Sequence, residues 1–189
     1  MRVIAGKLRS RRLRSLRDAD IRPTSDRLRE TLFNVLTGGN PDALNGSVWL
    51  DLYAGTGAVG IEALSRGAGM VFFVESSLAA AGLIAQNLRS LGLETGFRIL
   101  RQEVTRALRN LEAENITAYF IFIDPPYRLE NAYRETLSLL SESKLLGADA
   151  VIVAEHQEKF NLENDLFSLH RYRKLEQGDS VLSFYRKKS

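Results

Sequence analysis

The chain has 189 residues, of which 44% are hydrophobic and 26% charged, and it carries a formal net charge of +3. This length supports one buried core with short appendages and is too short for two ordinary enzyme domains. The sequence contains no cysteine and only two histidines, His156 and His170, which excludes disulfides and thiolate metal sites, so we expect no bound metal. No apolar run approaches the roughly 20 residues of a membrane span, and the basic N-terminus has no apolar run of the length typical of a signal peptide, so we expect none. These features predict a soluble cytoplasmic protein.

Positive charge is concentrated at the N-terminus. Residues 1–30 hold ten basic and four acidic side chains, a net charge of +6, which leaves −3 for the other 159 residues. Such a cationic segment is typical of contact with a phosphate backbone, and the alternative is a solvated surface arm. The candidate nucleic-acid ligands are Arg2, Lys7, Arg9, Arg11, Arg12, Arg22 and Arg27.

The first forty residues predict an arm and a helix that precede the main fold. Residues 2–5 and 7–13 flank Gly6 and could pair as a short hairpin. Thr24 can cap a helix that ends at Gly38-Gly39 and has one apolar face, made by Leu28, Leu32, Val35 and Leu36. We therefore expect a dependent extension over residues 1–40, with a basic arm and a lid helix, and a main domain over residues 41–189.

From Val48 onward, short apolar runs alternate with amphipathic stretches. The pattern predicts strands at 48–53, 70–75, 97–100, 118–123 and 149–154, separated by helices at 58–66, 77–91, 103–111 and 129–140. Apolar strands that alternate with helices predict a parallel α/β sheet with right-handed crossovers and helices on both faces. Strand-like runs at 165–175 and 180–187 are separated by only four residues, which requires an antiparallel pair. We predict a mostly parallel, seven-stranded sheet with an antiparallel last strand.

A strand, a glycine turn and a helix follow one another over residues 48–60. Gly55 and Gly57 allow the backbone to approach a ligand at the helix N-terminus, where free N–H groups favour polar or anionic groups. Gly60 completes a spacing that also fits a dinucleotide site. Glu75 ends the next strand, where its carboxylate could accept both ribose hydroxyls of either NAD or S-adenosylmethionine.

Asp51 favours S-adenosylmethionine as the cofactor. The pattern Asp51-x-x-x-Gly55-x-Gly57 resembles the first motif of methyltransferases, in which the acid orients the methionine end of the cofactor, and the alternative is an acid that only bonds the turn. Glu103 follows the third predicted strand, where it either lies near the adenine amino group or belongs to the first turn of the next helix. The predicted cofactor residues are Asp51, Tyr53, Gly55, Gly57, Glu75, Glu103 and Val104.

Asp124-Pro125-Pro126-Tyr127 follows the apolar run 119–123, which delivers it to the carboxyl edge of the predicted sheet. Two prolines fix φ and remove two N–H donors, so the Asp124 carboxylate and the Pro125 carbonyl form a rigid pair of acceptors. An exocyclic amino group is a double donor, and Tyr127 can stack on a base. The tetrapeptide therefore predicts catalytic residues for methylation of a planar amino group, and the alternative is a strand-ending turn in which Asp124 caps a helix.

Three segments together resemble the bacterial RsmD-type methyltransferases, over nearly the whole chain. These segments are Arg22-Pro23-Thr24 leading to Arg27, Glu30, Phe33 and Asn34; Asp51 to Gly57 with Glu62-Ala63-Leu64-Ser65-Arg66-Gly67; and Asp124 to Tyr127. The resemblance implies a Rossmann-like class I methyltransferase fold and methyl transfer from S-adenosylmethionine to N2 of a specific guanine in 16S ribosomal RNA of the small subunit. It also implies that Arg22, Thr24, Arg27 and Phe33 close over the cofactor or RNA.

The partner implied by the resemblance is small-subunit ribosomal RNA, free or in an assembled or partly assembled particle. We expect a monomer without a membrane partner. Glu103 stands where the family pattern has Asp or Asn. Methylation of adenine N6 in DNA, methylation of a protein glutamine and NAD-linked oxidoreduction stay open as alternatives. The run with Arg171, Arg173 and Lys174 either protects a sheet edge by its charge or contacts RNA.

Overall fold

Helices and strands alternate along the chain in a computed structural model that describes residues 1–15, 25–126, 129–160 and 162–188. The helices are α1 (Asp26–Thr37), α2 (Ala58–Ser65), α3 (Leu78–Ser90), α4 (Val104–Ala113) and α5 (Glu130–Glu142). The strands are β1 (Val48–Leu52), β2 (Met70–Val74), β3 (Phe97–Leu100), β4 (Ala118–Ile123), β5 (Leu146–Gln157), β6 (Asp165–Leu166), β7 (Leu169–Gln177) and β8 (Ser180–Lys187). Within the described residues, no helix has the length and apolar character needed to cross a membrane.

All of these strands belong to one sheet with the order β3-β2-β1-β4-β5-β8-β7-β6. Strands β1 to β5 run parallel, and β8 pairs antiparallel with both β5 and β7. The direction of chain progression reverses between β1 and β4, so the carboxyl ends of these two strands flank the crevice where open α/β sheets bind ligands. The predicted parallel sheet with an antiparallel last strand is confirmed.

The described residues form eight strands, so the predicted number of seven is wrong. The predicted strand at 165–175 is interrupted at residues 167 and 168, where Phe167 adopts a left-handed φ of 54°. The chain turns back there, and Asp165 pairs with His170 across a short antiparallel hairpin. Strand β5 is also longer than predicted, because its polar end pairs with β8 as far as Gln157.

Two hydrophobic layers cover the two faces of the sheet. On one face α1, α2 and α3 pack on alternate residues of the strands, and on the other face α4 and α5 do so. The fully buried Trp49 of β1 stacks between Phe33 of α1 and Phe120 of β4, with centroid distances of 5.3 and 5.5 Å. Helix α1 is thus fixed on the same sheet face as α2.

The N-terminal extension departs from two predictions. The hairpin over residues 2–13 is reduced to one antiparallel bridge between Arg2 and Arg12, because the polar second run turns at residues 7–10 instead of extending. Ser25 is the N-cap of α1 and accepts a hydrogen bond from the Leu28 N–H at 3.1 Å, so the predicted cap at Thr24 is wrong; Thr24 itself lies outside the described residues. The helix ends at Gly38 as predicted.

Candidate active site

Asp51 closes the glycine loop between β1 and α2. Its side chain is only 2% exposed, and Oδ2 accepts a hydrogen bond from the Gly60 N–H at 2.9 Å. Burial raises the pKa of Asp51 to about 8, with the Gly60 bond acting against this change and the charge of Glu75 adding to it. A Cβ atom at Gly60 would lie 2.3 Å from the Phe73 ring, so only glycine fits where the start of α2 meets Asp51. Gly60 therefore allows the close approach of α2 to Asp51 and donates the hydrogen bond that holds this carboxyl group in place.

The backbone of the loop is left-handed at three positions, which are Tyr53, Gly55 and Gly57. A φ of 60° is uncommon for a tyrosine. A tertiary contact accompanies it here, because the Tyr53 hydroxyl lies 2.9 Å from the Thr136 hydroxyl of α5. The Tyr53 ring is consequently held between the loop and α5.

Glu75 joins the end of β2 to the glycine loop. One carboxylate oxygen accepts a hydrogen bond from the Gly55 N–H at 2.9 Å, and the other accepts from the Ser77 N–H at 2.8 Å. A carboxylate can accept about four hydrogen bonds, so the half-buried Glu75 keeps capacity for two further donors. This is the number that the two hydroxyls of a ribose would supply.

A cavity of about 550 Å³ lies beside the loop, a volume typical of small-molecule sites. Its lining residues are Tyr53, Glu103, Val104, Thr105, Leu129, Asn131, Ala132 and Glu135. Three predicted cofactor residues, Tyr53, Glu103 and Val104, therefore meet there, whereas Asp51, Gly55, Gly57 and Glu75 form the adjoining hydrogen-bonded loop. Glu103 is also the N-cap residue of α4, but its side chain makes no capping bond, so its carboxylate is not engaged by the helix.

Asp124 extends the pairing of β4 with β1, because its N–H points to the Leu52 carbonyl at 3.4 Å. The side chain is half-buried, Pro125 is buried and Pro126 is exposed. The pKa of Asp124 is well above its ordinary range, first through burial and then through the negative charges of Glu155 and Asp51. The predicted fourth member, Tyr127, lies outside the described residues.

The basic arm is fastened to α2 by a buried acid. Glu62 is fully buried, and its two oxygens accept hydrogen bonds from the Ile4 N–H at 2.7 Å and the Ala5 N–H at 2.9 Å. At the far end of the arm, the Asn87 side chain of α3 accepts from the Arg14 N–H at 2.8 Å. The arm backbone is thereby fixed along residues 1–15.

The predicted RNA ligands lie outside the cavity. Arg2, Lys7, Arg9, Arg11 and Arg12 are exposed on the arm, Arg27 is exposed on α1, and Arg22 is outside the described residues. Arg2 faces Asp26 at 3.7 Å, and Arg11 donates to the Ser90 carbonyl at 3.1 Å. The other guanidinium groups named here and Lys7 extend from an anchored backbone.

Two functional candidates were missed by sequence reasoning. Arg29 looks like part of the basic segment, yet it is fully buried and donates to the Arg2 carbonyl at 2.7 Å and to Asp26 at 2.6 Å, which ties α1 to the arm. Glu155 lies beyond the apolar run that predicts β5, and it is buried next to Asp124. No local pattern distinguishes either residue from a surface charge, because both are buried by distant parts of the chain.

The doubly wound sheet, the acid before the glycine loop and the Asp-Pro-Pro turn at the switch point together define a Rossmann-like class I methyltransferase fold. A solved structure of a proposed methyltransferase from Escherichia coli superposes with a TM-score of 0.82 at 27% identity, over 100% of this chain and 98% of that one. A hypothetical protein from Thermus thermophilus gives a TM-score of 0.81 at 28% identity, over 97% and 98% of the two chains.

The chain belongs to the RsmD family, whose family description is Conserved hypothetical protein 95 and which matches residues 1–186. It is 34% identical to Ribosomal RNA small subunit methyltransferase D of Escherichia coli, over 90% of this chain and 83% of that protein. The protein of the same name from Haemophilus influenzae is 35% identical, over 84% and 79% of the two chains. The resemblance seen in the three sequence segments is confirmed.

Proposed function

We propose that this protein transfers a methyl group from S-adenosylmethionine to the exocyclic N2 of one guanine in small-subunit ribosomal RNA. The observation that carries the proposal is the juxtaposition of Asp51 and Asp124. They stand at the carboxyl ends of adjacent strands on one face of the sheet, because Asp51 pairs with Phe122, two residues before Asp124. A cofactor loop and an acceptor for an amino group therefore meet at the switch point. The names of the curated relatives support ribosomal RNA as the substrate.

The residues around the loop fit S-adenosylmethionine. Asp51 would hold the ammonium group of the methionine end, Glu75 has two free acceptor positions for ribose hydroxyls, and the cavity at Tyr53, Glu103 and Val104 would take the adenine. The bound cofactor supplies an electrophilic methyl group on a sulfonium sulfur. NAD chemistry would leave the Asp124 turn without a role.

Asp124 and the Pro125 carbonyl would accept the two N–H bonds of the guanine amino group. In this geometry the nitrogen lone pair leaves conjugation with the ring and faces the methyl group. The cofactor would supply the methyl group and keep the C–S bonding pair on sulfur, and Asp124 would take the proton that the methylated nitrogen gives up. Alignment of the two reactants can supply on the order of 7–11 kcal/mol of the barrier. Tyr127 would stack on the base plane.

The arm would supply affinity for the RNA backbone. Its cationic side chains project from a backbone fixed by Glu62 and Asn87, so they can contact phosphates without the cost of ordering the arm. A base in structured RNA has to be turned out of its stack to reach Asp124. In this proposal residues 1–40 act as an extension of the main domain, and a monomer modifies free RNA or an assembling particle in the cytoplasm.

The test uses methyl-labelled S-adenosylmethionine with naked ribosomal RNA or with small subunits that lack the modification, followed by digestion to nucleosides. We expect label in N2-methylguanosine, lost in Asp124→Ala and retained in Asp149→Ala. Asp149 is a matched control, because it is exposed near the start of β5, at the opposite edge of the sheet. Label in adenine or in a protein glutamine, or no transfer by the wild type, would refute the proposal.

A further inference from the structure

Strand β5 ends in a buried acid beside Asp124. Glu155 is 4% exposed and follows Ala154, which pairs with Ile123 of β4. Since Asp124 follows Ile123 in the same register, Asp124 and Glu155 occupy neighbouring positions on adjacent parallel strands. Both lie two residues beyond the pair Phe122 and Val153, whose side chains belong to one hydrophobic layer, so both side chains are on the same face of the sheet.

Several charged groups of the described residues surround this pair. Asp51 of β1 pairs with Phe122, two residues before Asp124. The charge of Glu75, which follows β2, adds to burial in raising the pKa of Asp51. Arg29 of α1 bonds to Asp26 and to backbone carbonyls. From β8, the residue that pairs with Glu155 is the apolar Leu182.

Neither a histidine nor a metal cluster of the described residues accompanies Asp124 and Glu155 on this face. His156 lies on the opposite face, where its Nε2 is 2.9 Å from the Ser183 hydroxyl, and burial lowers its pKa, which keeps the ring neutral. Among the residues that the structure describes, no group of acids or histidines is arranged to hold a metal ion. Beside Asp124, the charge of Glu155 adds to burial in raising the pKa of the Asp124 carboxyl group.

We propose that Glu155 is a positioning residue whose negative charge sets the protonation of Asp124, and with it the lowest pH at which the amino group of the base is accepted. This inference rests on the proposed function. The ionised form of Asp124 is the stronger acceptor for an N–H bond and the form that can take up a proton, and a neighbouring carboxylate opposes that ionisation. The same neighbour makes Asp124 a stronger acceptor for the proton that leaves the methylated nitrogen.

The test is the pH profile of single-turnover methyl transfer in Glu155→Gln, which keeps the shape of the side chain and removes its charge. We expect the acid limb of the profile to move to lower pH by roughly one unit, the effect of one nearby charge, with the KM for RNA unchanged. Glu155→Asp, which keeps the charge, should restore the limb toward its wild-type position. Glu94→Gln removes an exposed acid near the start of β3, at the other edge of the sheet, and should leave the profile as it is.

An acid limb that stays in place in an active Glu155→Gln enzyme overturns the inference and leaves the proposed function intact. Absence of transfer by the wild type removes the proposed function itself. Glu155→Met provides a second neutral variant suited to the apolar neighbours Val153 and Leu182, and thermal unfolding reports whether each variant folds. Loss of the fold in both neutral variants would assign Glu155 a purely structural role and would also overturn the inference.

Discussion

Replacement of Asp51 by asparagine should stabilise the ligand-free protein at neutral pH while it weakens cofactor binding. Burial raises the pKa of Asp51 from 3.8 to about 8. At pH 7 an ordinary aspartate favours ionisation by about three powers of ten, each worth 1.36 kcal/mol, so holding Asp51 neutral in the fold costs about 4 kcal/mol. The side-chain amide of Asp51→Asn has no such cost, and its oxygen can still accept the Gly60 N–H bond.

The sign of the effect follows from linkage. The folded protein binds the Asp51 proton more tightly than the unfolded chain does, so stability is fully present below pH 4, falls as pH rises toward about 8, and is constant above that value. The wild type should therefore lose stability between pH 5 and 8, and Asp51→Asn should lose much less. Urea unfolding followed by fluorescence of Trp49, the only tryptophan, measures both curves.

Two controls complete this experiment. Asp149→Asn removes an exposed carboxylate and should follow the wild-type pH dependence. Titration with S-adenosylmethionine should show roughly tenfold or greater loss of affinity in Asp51→Asn, because a hydrogen bond to a charged group contributes about 1.5–3 kcal/mol. Parallel pH curves for the wild type and Asp51→Asn would contradict the reasoning, whatever the effect on binding.

Two further predictions concern the arm and the glycine loop. The triple variant Arg9→Ala, Arg11→Ala, Arg12→Ala should weaken RNA binding equally for all sequences and reduce the slope of log K against log salt by roughly 0.7–0.9 per lost phosphate contact, without a change in cofactor affinity. Filter binding over a salt series checks this, and an unchanged slope would remove the arm from the RNA interface. Gly60→Ala places a Cβ 2.3 Å from the Phe73 ring, so we expect a loss of about 1–3 kcal/mol in unfolding free energy together with weaker cofactor binding. Wild-type stability of that variant would show that α2 can shift to accommodate a Cβ atom beside Phe73.

The parallel half of the fold could be predicted because its signals are local. Each buried strand is an apolar run, and each turn between strand and helix carries glycine, proline or an acid at the expected place. The prediction of the C-terminal half was less accurate, because the limits of its strands depend on which strands pair with each other. Phe167 turns the chain although nothing at that position signals a turn, and β5 continues to Gln157 because β8 supplies its hydrogen bonds.

The candidate site divides in the same way. Asp51, Gly55 and Glu75 could be predicted from their spacing together with the resemblance of the Asp51 pattern to a methyltransferase motif, and the structure brings them into one hydrogen-bonded loop. The anchors of the arm could not, because Glu62 lies 58 residues from the N–H of Ile4 that it binds. The sequence pattern of a helix predicts which residues share one face of the helix. It does not predict which distant segment of the chain packs on that face.

The acids at the switch point connect stability with function. Asp51, Asp124 and Glu155 bring three carboxyl groups to one face of adjacent strands. Burial raises the pKa of both aspartates, and nearby carboxylates add to it, Glu75 for Asp51 and Glu155 with Asp51 for Asp124, so the ionised fold is destabilised when no cation is bound. A cationic ligand reverses this effect, since its positive charge favours the ionised carboxylates. In the proposed function the ammonium group of the methionine end would be this cation at Asp51, and its binding would return part of the free energy that burial of the carboxyl group withholds from the ligand-free fold.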